Sequence, residues 1–228
     1  MDPIQVVELK RSILADNDLD AERLRQELNR RHIFLINVMS APGSGKTTLL
    51  ARLLPLLQPT VRVGVLEADI DGDVDARTMA AAGALSVQVH TGGMCHLDAD
   101  MTRQSLRALP AGADLVFLEN IGNLVCPAEY ATGAHLNIML LSVPEGDDKP
   151  LKYPLMFGMV DAVIISKTDA EACFDFRMER VRAAMDRLNP GAKIFRVSAR
   201  TGEGIAELAT WLLAKRSEWE AHCHGSGD

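Results

Sequence analysis

The 228-residue sequence predicts an α/β domain with a mostly parallel central sheet and helices on both of its faces. Short, wholly apolar runs alternate with segments of helical periodicity, which is typical of strands buried on both faces. A glycine-rich loop follows the first run, where such folds commonly bind ligands. The strands are predicted at 32–39, 61–68, 85–90, 114–120, 135–143, 161–167 and 192–198, and the helices at 46–57, 73–82, 97–108, 171–188 and 204–217.

Composition and chain ends limit the other possibilities. Residues 1–31 are predicted to form an N-terminal helical arm, broken near residues 15–20, with Asp20 capping its second helix. The main domain is expected to cover 32–217, and 218–228 to form a flexible tail. A net charge of −7 argues against binding to nucleic acids or anionic membranes. With neither a signal-peptide core nor a bilayer-length apolar run, we expect a cytoplasmic protein.

The loop after the first strand, SAPGSGKTT at 40–48, has the form of a P-loop, with Ser40 where the first glycine usually stands. Its backbone N–H groups and the start of the next helix suit phosphate oxygens. Lys46 is expected to reach the β- and γ-phosphates, Thr47 to ligate Mg²⁺, and Thr48 to lie near the α-phosphate. These features make the main domain a P-loop NTPase. The expected nucleotide-contacting residues are Gly43, Ser44, Gly45, Lys46, Thr47 and Thr48.

Two strand-end carboxylates are candidates for the Mg²⁺ site and for hydrolysis. Asp69 is the first acid beyond the second apolar run, and Glu119 ends the fourth run. Glu119 and Gly122 resemble the Walker B and D-x-x-G elements of nucleotide hydrolases, with Glu in place of Asp. A carboxylate here can orient Mg²⁺-bound water, and the Gly122 N–H can sense a γ-phosphate. Lys46, Asp69 and Glu119 are therefore the predicted catalytic residues.

Two later strand ends indicate specificity for guanine. The sequence Ser166-Lys167-Thr168-Asp169 resembles the N-K-x-D element of GTPases, with Ser166 in place of Asn. In that element the aspartate accepts hydrogen bonds from guanine, and the lysine stem packs over the base. Ser198-Ala199 resembles the S-A-[KR] element that backs the base. Their order after the P-loop predicts binding of GTP and GDP.

A candidate transition-metal site combines the adjacent Cys95 and His96 with Cys126, seven residues after Glu119. Thiolate and imidazole are ligands that suit Ni²⁺ or Zn²⁺. Cys95 alone could equally be a small buried hydrophobe, and His96 alone a structural residue. A catalytic Cys–His pair is less favoured, because neighbouring side chains seldom face each other. Three ligands leave such a site incomplete, and a two-fold dimer would supply the rest.

Several motifs together resemble the HypB family of nickel-insertion GTPases from hydrogenase maturation. They occur in the order MSAPGSGKTTLL, EADIDGDVDA, TGGMCHLDAD, FLENIGNLVCPAEY, LSVPEGDDKPLKYP and SKTD. The resemblance covers residues 33–215 and implies that Cys95, His96 and Cys126 bind the metal. It also implies a homodimer that depends on nucleotide and metal. Such a dimer passes Ni²⁺ to a hydrogenase large-subunit precursor, with help from a second accessory metallochaperone.

Other interpretations also fit the sequence. The chain could be a metal-binding dimeric scaffold or nickel reservoir with nucleotide as a structural ligand. It could also be a urease-accessory-like GTPase, although those proteins carry a Cys-Pro-His arrangement, or a P-loop ATPase or small-molecule kinase. No Cys or His precedes residue 30, so nickel storage at that end is not expected. The sequence His222-Cys223-His224 is interpreted as a disordered end with adventitious metal affinity.

Overall fold

The fold is a seven-stranded, all-parallel sheet flanked on both faces by helices. The computed structural model describes residues 9–69 and 74–225, and side chains within 13–68 and 76–223. The spatial strand order is β3-β2-β4-β1-β5-β6-β7, so the chain builds one half of the sheet and then the other. The strands are β1 (Phe34–Ser40), β2 (Val63–Asp69), β3 (Leu85–His90), β4 (Leu115–Glu119), β5 (Leu136–Ser142), β6 (Ala162–Ser166) and β7 (Lys193–Arg196). The predicted fold class is confirmed.

The α-helices of the described residues comprise the N-terminal arm, the five predicted helices of the main domain and three short ones that the sequence pattern did not predict. Short 3₁₀ helices occupy Val143–Glu145 and Thr168–Cys173. The unpredicted helices are only four to six residues long, and each has proline in its first turn. The α-helices are α1 (Leu9–Arg30), α2 (Lys46–Leu57), α3 (Val74–Ala81), α4 (Ala99–Ala108), α5 (Cys126–Glu129), α6 (Lys149–Lys152), α7 (Pro154–Met159), α8 (Met178–Leu188) and α9 (Ile205–Gly225).

Apolar side chains alternate between the two faces of the sheet, as the period of two in a strand requires. In β1, Phe34, Ile36 and Val38 join a cluster with α2 and α9. Leu35 faces the opposite side with α1 and α4, and Met39 packs toward α7 and α8. The core therefore lies on both faces, and the loops at the carboxyl ends of the strands are left to form sites.

The N-terminal arm is one unbroken helix, whereas the sequence predicted a break near residues 15–20. Asp20 does not cap a second helix, because its carboxylate forms two 2.8 Å hydrogen bonds with the Arg103 guanidinium of α4. Leu24 and Leu28 are fully buried beneath the same helix. Tertiary contacts therefore stabilise a helix that its polar residues would disfavour in isolation.

The predicted flexible tail begins inside α9, which continues to Gly225. Trp219 explains this continuation: its ring packs against Phe34, and its indole N–H donates to Asn29 Oδ1 at 2.9 Å. The last turns of α9 are thus attached to the end of α1. Within the described part of the chain, no helix is long and apolar enough to cross a membrane.

His135 completes this junction beneath the sheet. Its Nδ1 accepts the Leu35 N–H at 3.0 Å, so the proton lies on Nε2, which faces Asn29 Oδ1 at 2.9 Å. The imidazole lies between Phe34 and Trp219. Burial, with a smaller contribution from Arg25, lowers the pKa of His135 from 6.5 to about 4. His135 is therefore neutral at physiological pH.

We expect the free energy of unfolding to fall as the pH drops from 6.5 to 4. In that window the unfolded chain binds a proton at His135 and the folded chain does not, so stability present above pH 6.5 is lost toward pH 4. The loss from this group is at most about 3 kcal/mol. Urea unfolding across this window would measure it. His135→Gln cannot titrate and should show a shallower loss; an identical slope would contradict the assignment.

Candidate functional site

The P-loop joins the central strand β1 to helix α2. Gly45 precedes α2 with φ +97°, a left-handed conformation that favours glycine. Lys46 Nζ donates to Ser40 Oγ at 3.1 Å and lies 4.0 Å from Glu119 Oε1. Ser40, which replaces the usual first glycine, therefore supplies an acceptor for the lysine. The ammonium group is held at the mouth of the loop, where phosphate oxygens would lie.

The candidate Mg²⁺ ligands meet beside this lysine. The Thr47 hydroxyl donates to Glu119 Oε1 at 2.8 Å, and the Glu119 side chain is buried. A hydroxyl and a carboxylate are oxygen donors of the kind that Mg²⁺ prefers, so the donor set fits this ion. Asp69 ends β2, next to the loop of β4, but its side chain lies outside the described part of the structure.

Three of the expected base-binding residues, Lys167, Asp169 and Ala199, line a cavity of about 210 Å³ next to the P-loop. The Asp169 carboxylate accepts a hydrogen bond from Ser198 Oγ at 2.6 Å, which lowers the pKa of Asp169 and keeps it ionised. Lys167 adopts φ +59°, unusual for a residue with a side chain, and its Nζ donates to the Gly43 carbonyl at 2.7 Å. Lys167 and Ala199 both line the cavity.

Two further residues connect the loops around the nucleotide pocket. Ser166 Oγ donates to the Ser44 carbonyl at 2.8 Å, so the serine that replaces asparagine still fixes the P-loop. Glu145 Oε2 accepts from Ser44 Oγ at 2.7 Å and from the Ser142 N–H and hydroxyl. Sequence reasoning missed Glu145. Its only local signal was a serine three residues before a glutamate, the pattern of a helix-capping box.

The segment 119–126 leads from the nucleotide pocket to the cysteines. A side-chain carbon on Gly122 would lie only 2.8 Å from Pro42 Cα, so this glycine permits close contact with the P-loop. One residue further, Asn123 Nδ2 donates to the Cys95 carbonyl at 3.3 Å. Asn123 Oδ1 accepts the Val125 N–H at 2.9 Å and shapes the turn before Cys126. The segment 119–126 thus contacts both the P-loop and the loop that carries Cys95.

The structure brings Cys95, His96 and Cys126 together, with their potential ligand atoms within 4.8 Å of one another. Cys95 Sγ lies 2.8 Å from Cys126 Sγ and 3.8 Å from His96 Nδ1. The His96 ring is buried and stacks on Tyr130 at 3.8 Å between ring centroids. Cys95 is exposed, which excludes the alternative that it is a buried hydrophobe.

Protonation of the cluster follows from these contacts. The hydrogen bond to Cys126, together with desolvation, raises the pKa of the Cys95 thiol. Burial lowers the pKa of His96, despite the opposing effect of Asp98 and Glu129. The imidazole is therefore neutral and able to donate a lone pair, whereas the thiol has to lose a proton before it binds a metal.

The fold and these loops define a P-loop nucleotide-binding protein. Residues 34–196 match the family described as CobW/HypB/UreG, nucleotide-binding domain. The hydrogenase/urease maturation factor HypB of Helicobacter hepaticus is 42% identical, over 95% of this chain and 91% of that protein. The hydrogenase maturation factor HypB of Azotobacter chroococcum is 43% identical, over 93% of this chain and 70% of that protein.

A solved structure agrees with these sequence matches. The crystal structure of HypB from Helicobacter pylori in complex with nickel superimposes with a TM-score of 0.85 at 40% identity, covering 89% of this chain and 96% of that one. The chain belongs to the HypB family, as its motifs predicted.

We expect Asp169→Asn to weaken GTP binding by at least tenfold. The amide would present a donor to the guanine N1–H or 2-amino group, which are donors themselves. A site that loses the acceptor for a ligand's polar group binds that ligand much more weakly. The same variant should bind xanthosine triphosphate better, because the 2-oxo group of xanthine accepts from an amide. Competition binding measures both effects. Asp175→Asn, at an exposed carboxylate paired with Arg177, is the matched control; unchanged preference in Asp169→Asn would contradict the assignment.

We expect Gly122→Ala to lower both nucleotide affinity and turnover several-fold. Its methyl carbon would lie 2.8 Å from Pro42 Cα, so either the P-loop or the segment 119–126 must shift. Isothermal titration with a GTP analogue and a phosphate-release assay would detect the change. Gly158→Ala is the control, because a side-chain carbon there meets nothing within 4 Å. Equal defects in the two variants would exclude a specific role for the Pro42 contact.

Proposed function

We propose that this chain hydrolyses GTP in a Mg²⁺-dependent reaction and couples hydrolysis to nickel binding and delivery during maturation of NiFe hydrogenase. Membership of the HypB family supports the process, and the nickel complex of the Helicobacter pylori relative supports the metal. The observation that carries the coupling is the segment 119–126. It contacts the P-loop through Glu119 and Gly122 and presents Cys126 to the metal cluster.

The nucleotide part of the reaction follows from the pocket. Asp169 selects guanine, and Lys46 and the backbone N–H groups of the P-loop hold the phosphates. Bound Mg²⁺ would neutralise charge that develops on the phosphate oxygens. Thr47 and Glu119 are the described residues that would hold it, with Asp69 proposed to assist from the end of β2. Chemically the step is transfer of the γ-phosphoryl group to water.

A change of partners at Lys46 would connect nucleotide binding to the loop of Glu119. The ammonium lies near Ser40 Oγ and 4.0 Å from Glu119 Oε1, and Thr47 donates to the same carboxylate oxygen. Phosphate oxygens would compete for the lysine and so weaken its ion pair with Glu119. Because Gly122 and Asn123 follow directly, a shift of that loop changes the position of Cys126.

In the proposed metal site, Cys95, His96 and Cys126 bind Ni²⁺, the proposed cargo, or Zn²⁺. Two thiolates on one tetrahedral ion lie about 3.8 Å apart, so binding of one ion depends on the separation of Cys95 and Cys126, which are neighbours in this cluster. A small movement of Cys126 therefore changes affinity. Met94 and Val125, both exposed, flank the two cysteines. We infer that this apolar rim pairs with a second subunit, which completes the ligand set in a homodimer.

Delivery of the nickel requires two partner proteins. A hydrogenase large-subunit precursor is the proposed acceptor of the nickel, and a second accessory metallochaperone the proposed intermediary. Exchange between proteins is favoured by an exposed ligand, and Cys95 is exposed at the edge of the cluster. Delivery would then require a donor from the acceptor protein to replace one of the ligands in the dimer.

We expect Ni²⁺ affinity to differ at least fivefold between the GDP-bound protein and the protein bound to a non-hydrolysable GTP analogue. Cys126→Ala should lower the affinity in both states and abolish the difference, since Cys126 is the ligand on the moving segment. Titration with a competing chelator measures all four values. Cys173→Ala, at an exposed cysteine outside the cluster, is the matched control.

Equal affinities in all four cases would exclude coupling. Turnover separates the remaining possibility, a metal-binding scaffold or reservoir with nucleotide as a structural ligand. Phosphate release that is lost in Lys46→Ala supports the hydrolase. Lack of Lys46-dependent release, with partner proteins present, would favour the scaffold.

A further inference from the structure

The side chain of Asn17, in the middle of the N-terminal arm, connects the start of α4 with the segment that follows α5. Its Oδ1 accepts the Ala99 N–H at 3.0 Å, and its Nδ2 donates to the Ala131 carbonyl at 3.0 Å. The carbonyl oxygen and the amino group of one side-chain amide each form a hydrogen bond with a backbone group more than 80 residues away in sequence. The arm thus contributes a specific bridge in addition to apolar packing.

The two bridged backbone groups belong to the segments that carry the cysteines and the histidine. Ala99 is the first residue of α4, three residues after His96. Ala131 directly follows Tyr130, whose ring stacks on His96, and α5 begins at Cys126. The bridge therefore spans the same two segments whose separation determines the distance between Cys95 and Cys126.

The Ala99 N–H has a physical need for this partner. The first N–H groups of a helix have no acceptor within the helix, and Ala99 is completely buried. The Asp98 side chain caps α4 but accepts from the Met101 N–H instead. Asn17 thus acts as a cap supplied by another helix, and it holds the start of α4 in place.

The arm itself is rigidly attached near the bridge. Asp20, one turn beyond Asn17, forms its two 2.8 Å hydrogen bonds with Arg103 of α4. Leu24, a further turn along, is fully buried. Because buried side chains such as Leu24 and Leu28 hold this helix on the core independently of the Asp20–Arg103 pair, the Asn17 amide can fix the two segments.

We propose that Asn17 is a positioning residue for the metal cluster: it holds the Cys95–His96 loop and the Cys126 loop at the separation that lets them bind one ion. This inference rests on the proposed function, since it takes Cys95, His96 and Cys126 as ligands. Outer residues that orient ligands typically account for tenfold to a hundredfold in metal affinity. The described hydrogen bonds of the Asn17 side chain go to the backbone of Ala99 and Ala131 and not to Cys95, His96 or Cys126.

The test is Ni²⁺ titration of the full chain, followed by thiolate-to-nickel charge-transfer absorption and by competition with a chelator. Asn17→Ala removes both hydrogen bonds, and we expect about a tenfold loss of affinity and a changed absorption spectrum. Asn17→Asp keeps the acceptor for Ala99 but places an oxygen against the Ala131 carbonyl, so it should lose affinity as well. GTP affinity should stay unchanged in both variants.

Two controls on the same helix separate positioning from general stability. Asp20→Asn weakens the attachment of the arm to Arg103 but leaves the bridge, and Gln26→Ala removes an exposed amide that pairs only with Glu22 among its described partners. Thermal unfolding of each variant gives the stability for comparison. Both controls should retain wild-type nickel affinity and spectrum.

The outcomes are distinct. Wild-type affinity and spectrum in Asn17→Ala and Asn17→Asp would overturn the inference, and so would an equal nickel defect in Asp20→Asn. Failure of the proposed metal site looks different, because the wild type itself would then bind no nickel, or Cys126→Ala would bind it unchanged. If Asn17→Ala does not fold, Asn17→Asp and its spectrum decide.

Discussion

The short segment from Glu119 to Cys126 is the constraint on which the organisation of this molecule depends. Its first residue shares a hydrogen bond with Thr47 of the P-loop, and Gly122 lies against Pro42 too closely for any side chain. Asn123, three residues before Cys126, donates a hydrogen bond to the Cys95 carbonyl. These contacts leave the segment little freedom to move at one end alone. The proposed coupling depends on this constraint, because a shift at the P-loop would then change the position of Cys126.

The sheet makes this geometry possible. Strand β4 lies between β1, which leads into the P-loop, and β2, whose other neighbour is β3. Because the strands are parallel, their carboxyl ends meet on one edge, and loops distant in sequence become neighbours. A chain of amides adds to this: the buried Asn120 donates to the buried Asn37, and Asn37 donates to the half-buried Asn137 of β5. This network fixes the start of the segment across the central strands.

Much of the fold could be predicted from the sequence because its signals are local. Apolar runs marked all seven strands, and the P-loop marked the central one. The short helices α5 to α7 carry too few residues to show a period, and only packing stabilises them. Proximity of Cys95 and Cys126, 31 residues apart, was a hypothesis from chemistry and family resemblance; their 2.8 Å contact depends on strand order. Glu145 and Asn17 were missed, since each acts on residues about 80 or more positions away.

The wrongly predicted break in the arm shows why such residues escape sequence reasoning. Asn and Asp compete with the helix backbone for hydrogen bonds, so a run such as Asp16-Asn17-Asp18 favours a helix end. That expectation assumes that the side chains are free to turn back on their own helix. In this fold Asn17 is instead engaged by Ala99 and Ala131, and Asp20 by Arg103. Side chains committed to distant partners no longer oppose the helix. A polar cluster inside an otherwise helical pattern can therefore indicate an interface whose partners lie elsewhere in the chain.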